Sequence, residues 1–138
     1  MSENKFNDLI ETAKKARLQS VAPFSNFMVG AAVKTASGKV YTGCNVESAS
    51  YGLTVCGERV AIWKALSEGE REFTELAIVA DTEKLTPPCG TCRQIIHEFC
   101  PDAIVVLANL HGETETCDVD ELLPRAFDAR FLSGAKKS

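Results

Sequence analysis

Two short apolar runs, residues 76–80 and 104–108, stand on either side of a helical stretch at residues 90–99, and no other feature constrains the fold as tightly. Strands joined through a helix lie side by side and parallel, and parallel strands need cover from helices. The remaining elements supply that cover and extend the sheet. Over residues 4–19, Phe6, Leu9, Ile10, Ala13, Ala16 and Leu18 recur at helical spacing, which predicts a first helix packed on the core. Residues 27–34 and 39–46, joined at Ser37-Gly38, predict a β-hairpin. Val60, Ala61, Ala65 and Leu66 form the buried stripe of a helix that starts at Cys56 and stops near Gly69. His111-Gly112 marks a turn, and residues 119–123 a short last helix before Pro124 and a tail ending in Lys136-Lys137. The order implies an α/β chain whose sheet is parallel in part and covered by helices, with residues 1–138 as one domain.

Charge and cysteine content narrow the partners. A net charge of -4 argues against a nucleic-acid polymer, which requires Lys and Arg gathered on one face. The first residues mix acidic, basic and apolar side chains where a signal peptide has an uninterrupted apolar stretch, and no apolar run is long enough to span a membrane. A cytoplasmic location without a membrane partner is the expectation. Six cysteines in such a chain point to metal or redox chemistry before disulfides.

Pro88-Cys89-Gly90-Thr91-Cys92 has the CxxC spacing that brings two thiolates from one helical turn to a single ion. By itself it is as compatible with redox or incidental pairing as with zinc. A structural zinc site requires four protein ligands, but there is no second CxxC, and His97 and His111 fall in a helix and a turn. Three ligands with an open position fit better. Cys56, also at a helix start, is the best third ligand, because the positive end of the helix dipole favours a thiolate there. Three thiolates on one Zn²⁺ leave a net negative charge, which Arg59, on the same turn as Cys56, offsets; the alternative is an exposed arginine paired to Glu68 or solvent. Glu58, two residues from Cys56, faces the open position as a general acid-base of raised pKa, or else is an acid that favours a helix start.

Cys56-Gly57-Glu58 followed by Pro88-Cys89-Gly90-Thr91-Cys92 matches the motif of zinc nucleobase deaminases. Pro23-Phe24-Ser25-Asn26-Phe27, Gly43-Cys44-Asn45-Val46-Glu47, Cys89 to Gln94 and Glu121-Leu122-Leu123-Pro124 extend the match, and nearly the whole chain resembles the small homotetrameric cytidine deaminases. The resemblance implies a three-layer α/β/α sandwich with a mixed sheet of about five strands. It implies hydrolytic deamination of cytidine, and of 2′-deoxycytidine, with one Zn²⁺ per subunit and no organic cofactor. Water activated at the metal attacks C4 while Glu58 protonates N3 and later the leaving amine. Asn45 and Glu47 match residues that bind the ribose hydroxyls, Phe27 an aromatic lining the nucleoside pocket, and the Gly57 N–H a donor to the pyrimidine O2. Phe127 matches a ring that reaches into a neighbouring subunit's site, so a homotetramer with shared active sites is implied, with Tyr51 near a subunit contact. Without the resemblance, Asn45 and Glu47 read as strand-end residues and Phe127 as core.

Three positions depart from the family pattern. Gly57 stands where alanine is usual, and the missing methyl is expected to leave room near the base and to loosen the helix start. Pro87 replaces a small or polar residue but keeps its carbonyl for the leaving amine, and Arg125 replaces something small near Phe127. Cys44, Cys100 and Cys117 are expected as buried thiols, and His97 as a partly exposed helix residue. Two rival functions remain: deamination of another or modified aminopyrimidine nucleoside, as in blasticidin-type enzymes or with an N4-substituted cytidine, and a non-catalytic zinc-stabilised binding module, which would require a fourth ligand and no Glu58.

Overall fold

A computed structural model describes residues 5–135. The sheet has five strands: β1 (Val29–Thr35), β2 (Val40–Cys44), β3 (Phe73–Ala80), β4 (Ile104–Ala108) and β5 (Thr114–Asp118). They lie in the order β2-β1-β3-β4-β5. β3 and β4 pair in parallel, with Leu76 opposite Val105, and every other pairing is antiparallel. The parallel pair sits where the strand–helix–strand order places it. The hairpin of β1 and β2 turns at Gly38, whose φ of 93° lies in the left-handed region that glycine enters without steric cost.

Helices α1 (Asn7–Arg17), α2 (Gly57–Ser67) and α3 (Gly90–Phe99) cover the sheet. Side chains alternate along the strands, so β1 sends Ala32 to one face and Ala31 and Val33 to the other. On the first face Phe6, Leu9, Ile10 and Ala13 of the α1 region pack with Ala32, Ala77, Val79 and Val106. On the second, Ala61, Ile62 and Ala65 of α2 and Ile96 of α3 pack with Ala31, Val33, Leu76, Ile78 and Val105. This is the three-layer α/β/α arrangement. Two strand glycines bring the layers together: a Cβ on Gly30 would lie 2.0 Å from the Ala13 carbonyl oxygen of α1, and one on Gly43 would lie 2.3 Å from the Gly57 carbonyl oxygen of α2. The second contact fixes the start of α2 against the end of β2.

Three elements differ from the sequence expectation. The first helix begins at Asn7, with Phe6 buried at its N-cap position, and residues 1–4 lie outside the described residues. β5 was not predicted: Thr114, Glu115, Thr116 and Asp118 give no apolar alternation, and the strand exists through its pairing with β4. The stretch after Pro124, expected as a tail, forms α5 (Ala129–Ala135), and α4 (Val119–Leu122) stands at the expected last helix. Lys136 and Lys137 lie outside the described residues. Arg125 is exposed and has a φ of 55°, a left-handed backbone that glycine or asparagine adopts more readily than arginine.

Candidate active site

Cys56 and Cys89 occupy the N-cap positions of α2 and α3. An N-cap usually carries Ser, Thr, Asp or Asn, whose side chain accepts a hydrogen bond from the first turn. Neither cysteine does so, and both backbones are extended, which leaves the sulfur atoms free to point at each other. The two Sγ atoms are 3.6 Å apart. Cys92, on the first turn of α3 and fully buried, completes a group whose sulfurs all lie within 4.8 Å of one another. Tetrahedral zinc with Zn–S bonds of about 2.3 Å needs sulfurs about 3.8 Å apart, so the group fits the ion.

The electrostatics also call for a cation. Hydrogen bonding from Cys92 in the first place, then from Cys89 and Arg59, outweighs burial and pulls the Cys56 thiol down to about 5. The same contact with Cys56, together with burial, pushes the Cys92 thiol up. Sulfurs this close cannot all ionise unaided; a divalent cation lets them. Arg59 stands beside them, as expected, and not with Glu68. Its Nη2 donates to the Thr54 carbonyl oxygen at 3.3 Å and approaches the Cys56 sulfur at 4.0 Å, while its guanidinium lies over the Trp63 ring. Its buried Nε has no partner among the described residues, a cost that anionic sulfur nearby reduces.

Glu58, on the first turn of α2, is 3% exposed. Burial, opposed by its own backbone N–H and reinforced by the charge of Cys56, pushes its carboxyl up to about 7. It lines a cavity of about 190 Å³ together with Phe27, Asn45, Cys56, Gly57, Pro87 and Cys89, among others. Residues from β1, from the loop after β2 and from both helix starts thus converge on one volume.

Asn45 and Glu47 are already engaged with the backbone. Asn45 Oδ1 accepts from the Val29 N–H at 2.9 Å, and its Nδ2 donates to the Phe27 carbonyl oxygen at 2.7 Å. Glu47 Oε1 accepts the N–H groups of Phe24 and Ser25, at 2.9 and 3.1 Å, and Oε2 accepts the Ser25 hydroxyl. The Ser25 hydroxyl and these N–H groups hold the Glu47 carboxyl below its ordinary value. A primary amide and a carboxylate each have capacity beyond these bonds: Asn45 keeps one N–H and one lone pair, and Glu47 keeps one lone pair. Glu47 also borders a second hollow, of about 250 Å³, with Phe24, Tyr51 and Thr54; Thr54 lines both.

Phe127 is not among the residues lining the Glu58 cavity. Its ring is 58% exposed and stacks on Phe131 with centroids 5.6 Å apart. Core packing within its own chain is therefore excluded. Tyr51, at 76% exposure, is also open to solvent. Of the other cysteines, Cys100 is buried, whereas Cys44 and Cys117 are half-buried.

The expectation for Gly57 needs correction. A methyl group there would not face free space: it would lie 3.0 Å from the Val29 carbonyl oxygen and 3.3 Å from the Cys44 Cα. The glycine lets α2 settle on the sheet and opens no room at the base. Gly57→Ala is expected to lower stability by about 1 kcal/mol, because the tight contact outweighs the gain in helix propensity. A fall in Tm is the expected result, and a rise would show that the strand ends yield freely.

Sequence reasoning missed Arg93. Its Nε donates to the Pro88 carbonyl oxygen at 2.8 Å and its Nη1 to the Leu122 carbonyl oxygen at 2.9 Å, tying the loop before Cys89 to the end of α4. Its place right after Cys92 was the available signal, but contacts to backbone carbonyls leave no motif.

Three cysteines, Cys56, Cys89 and Cys92, gathered with the buried Glu58 at two helix starts make the arrangement of a zinc-binding deaminase, and comparison with known proteins agrees. The model of the cytidine and deoxycytidylate deaminase zinc-binding region matches residues 3–108. The chain is 50% identical over 128 residues to a cytidine deaminase of Sporosarcina psychrophila, covering 92% of this chain and 94% of that one. It is 51% identical over 126 residues to a cytidine deaminase of Halalkalibacterium halodurans, covering 91% and 96%. A crystal structure of cytidine deaminase from Burkholderia pseudomallei superposes with a TM-score of 0.86 at 48% identity, covering 92% of this chain and all of that one. The chain belongs to the cytidine deaminase family.

Proposed function

We propose that this protein hydrolyses cytidine, and 2′-deoxycytidine, to the corresponding uridine nucleoside and ammonia, with Glu58 carrying the protons. One observation carries the proposal: a buried carboxyl, raised to about 7, shares a cavity wall with Cys56 and Cys89. Bound by Cys56, Cys89 and Cys92, zinc supplies what no side chain here offers at neutral pH, the activation of a water molecule. Glu58 accepts a proton from water and delivers it to N3 of the pyrimidine; once the oxygen is bonded to C4, Glu58 takes that oxygen's remaining proton and passes it to the amine, so that the C4–N bond breaks, C4=O forms and ammonia leaves. Burial keeps its carboxyl poised between accepting and donating. Arg59 stabilises the thiolates from outside the cavity.

The substrate is held from several sides. The Gly57 N–H, on the first turn of α2 where helix donors lack internal partners, suits the pyrimidine O2. Phe27 supplies an apolar wall for the base. The donor and acceptors that Asn45 and Glu47 keep free suit ribose hydroxyls, which favours a nucleoside built on ribose over the substrates of blasticidin-type enzymes. A non-catalytic zinc module is disfavoured, since the metal-ligating group among the described residues has three members and Glu58 would have no use. Phe127, exposed and away from its own chain's cavity, supports a homotetramer in which it completes a neighbour's site. No helix among the described residues is long and apolar enough to cross a membrane, and the reaction itself suits a role in pyrimidine salvage.

Free cytosine tests the ribose contacts. Its kcat/KM is expected to fall by about 100-fold or more relative to cytidine, because Asn45 and Glu47 then lose their partners. Equal turnover of base and nucleoside would remove the ribose assignment.

A further inference from the structure

Residues 123–128, between α4 and α5, have no regular structure, yet they carry Phe127. An exposed ring cannot be oriented by burial, so its backbone must be held. The hold comes from α3. Gln94 Nε2 donates to the Phe127 carbonyl oxygen at 2.7 Å, and one turn further along the helix His97 Nε2 donates to Asp128 Oδ2 at 2.8 Å. Residues three apart on a helix share a face, so the two contacts grip consecutive residues of the segment.

Asp128 is the junction of this arrangement. Its Oδ1 accepts the Arg130 N–H at 2.9 Å, and its carbonyl oxygen accepts the Phe131 N–H, which starts α5 and brings Phe131 beneath Phe127. The Arg130 guanidinium also reaches the carboxylate, but that side chain is 79% exposed. The His97 and Asp128 side chains are only 10% and 12% exposed, so their bond is the one shielded from water. His97 Nδ1 is buried and has no partner among the described residues, which leaves the bond to Asp128 as the contact that fixes the ring. Arg130 and His97 together hold the Asp128 carboxyl well below the usual carboxylate range.

We propose that His97 is a positioning residue for Phe127: through Asp128 it holds the 123–128 segment on α3 so that the ring is presented to a neighbouring subunit's nucleoside site. The proposal rests on the shared-site assignment of Phe127 made above. It makes α3 serve the reaction twice, holding metal ligands at its N-terminus and aiming an aromatic ring from its C-terminal half.

Steady-state kinetics with cytidine on the zinc-loaded full-length protein test it. Phe127→Ala is expected to raise KM about tenfold, the scale of losing one stacked ring from a base. His97→Ala is expected to raise KM by about three- to fivefold with kcat within about twofold and zinc content unchanged. His97→Gln, which still places an amide donor near Asp128, should restore most of the KM. In the His97→Ala, Phe127→Ala double variant KM should match that of Phe127→Ala alone, since both changes remove one interaction. An unchanged KM in Phe127→Ala would overturn the shared-site assignment and with it this proposal. A raised KM in Phe127→Ala beside an unchanged KM in His97→Ala, or a lower Tm as the sole effect of His97→Ala, would overturn the positioning role alone. Full additivity in the double variant would do the same.

Discussion

Glu58→Gln is expected to lower kcat for cytidine by about 10²- to 10⁴-fold while the protein keeps its fold and about one zinc per chain, the loss typical of removing a general acid-base. The substitution preserves volume at a residue that is 3% exposed, so the cavity shared with Phe27, Asn45 and Cys89 does not collapse. What disappears is the ability to take a proton from one atom and give it to another. Because the same carboxyl serves both N3 and the amine, no single bypass replaces it. Metal analysis and a progress curve on one preparation settle the matter: a variant within tenfold of wild type would assign the proton transfers elsewhere.

Cys89→Ala is expected to leave well under one zinc per chain and to cut activity by about 100-fold or more, since even partners outside the ligand set cost about 10- to 100-fold when lost. Cys89 is exposed, so its truncation takes little from the core; Cys92 is fully buried, and its loss would mix metal and packing effects. Cys100→Ala is the control. Cys100 is buried in the cluster between the sheet and α3, where burial pushes its thiol up to about 12, and it should lower Tm with zinc unchanged. Zinc retained at one per chain in Cys89→Ala would contradict the three-cysteine site.

Much of this was legible in the sequence because the signals are local. Gly38 and Gly69 punctuate the hairpin and the end of α2 with φ of 93° and 97°, and the apolar runs of β3 and β4 need no partner to be recognised. Cys56, Glu58, Cys89 and Cys92 were legible because metal chemistry demands their types at their spacing. β5 was not, since four polar residues around Cys117 become a strand only beside β4. Arg93 works through carbonyl oxygens, and the double hold of Asn45 on Phe27 and Val29 bridges elements that the sequence separates. The His97–Asp128 pair joins residues 31 positions apart, and neither side chain announces the other. Gly57 shows the limit in another way: a missing methyl reads as space until the Val29 carbonyl oxygen is found filling it.

The most direct measurement is the stoichiometry of turnover by wild-type protein of known zinc content: loss of cytidine absorbance followed beside ammonia release. The site predicts one ammonia per cytidine consumed, uridine as the product, and a rate that scales with zinc bound. Protein carrying one zinc per chain and leaving cytidine intact would contradict it.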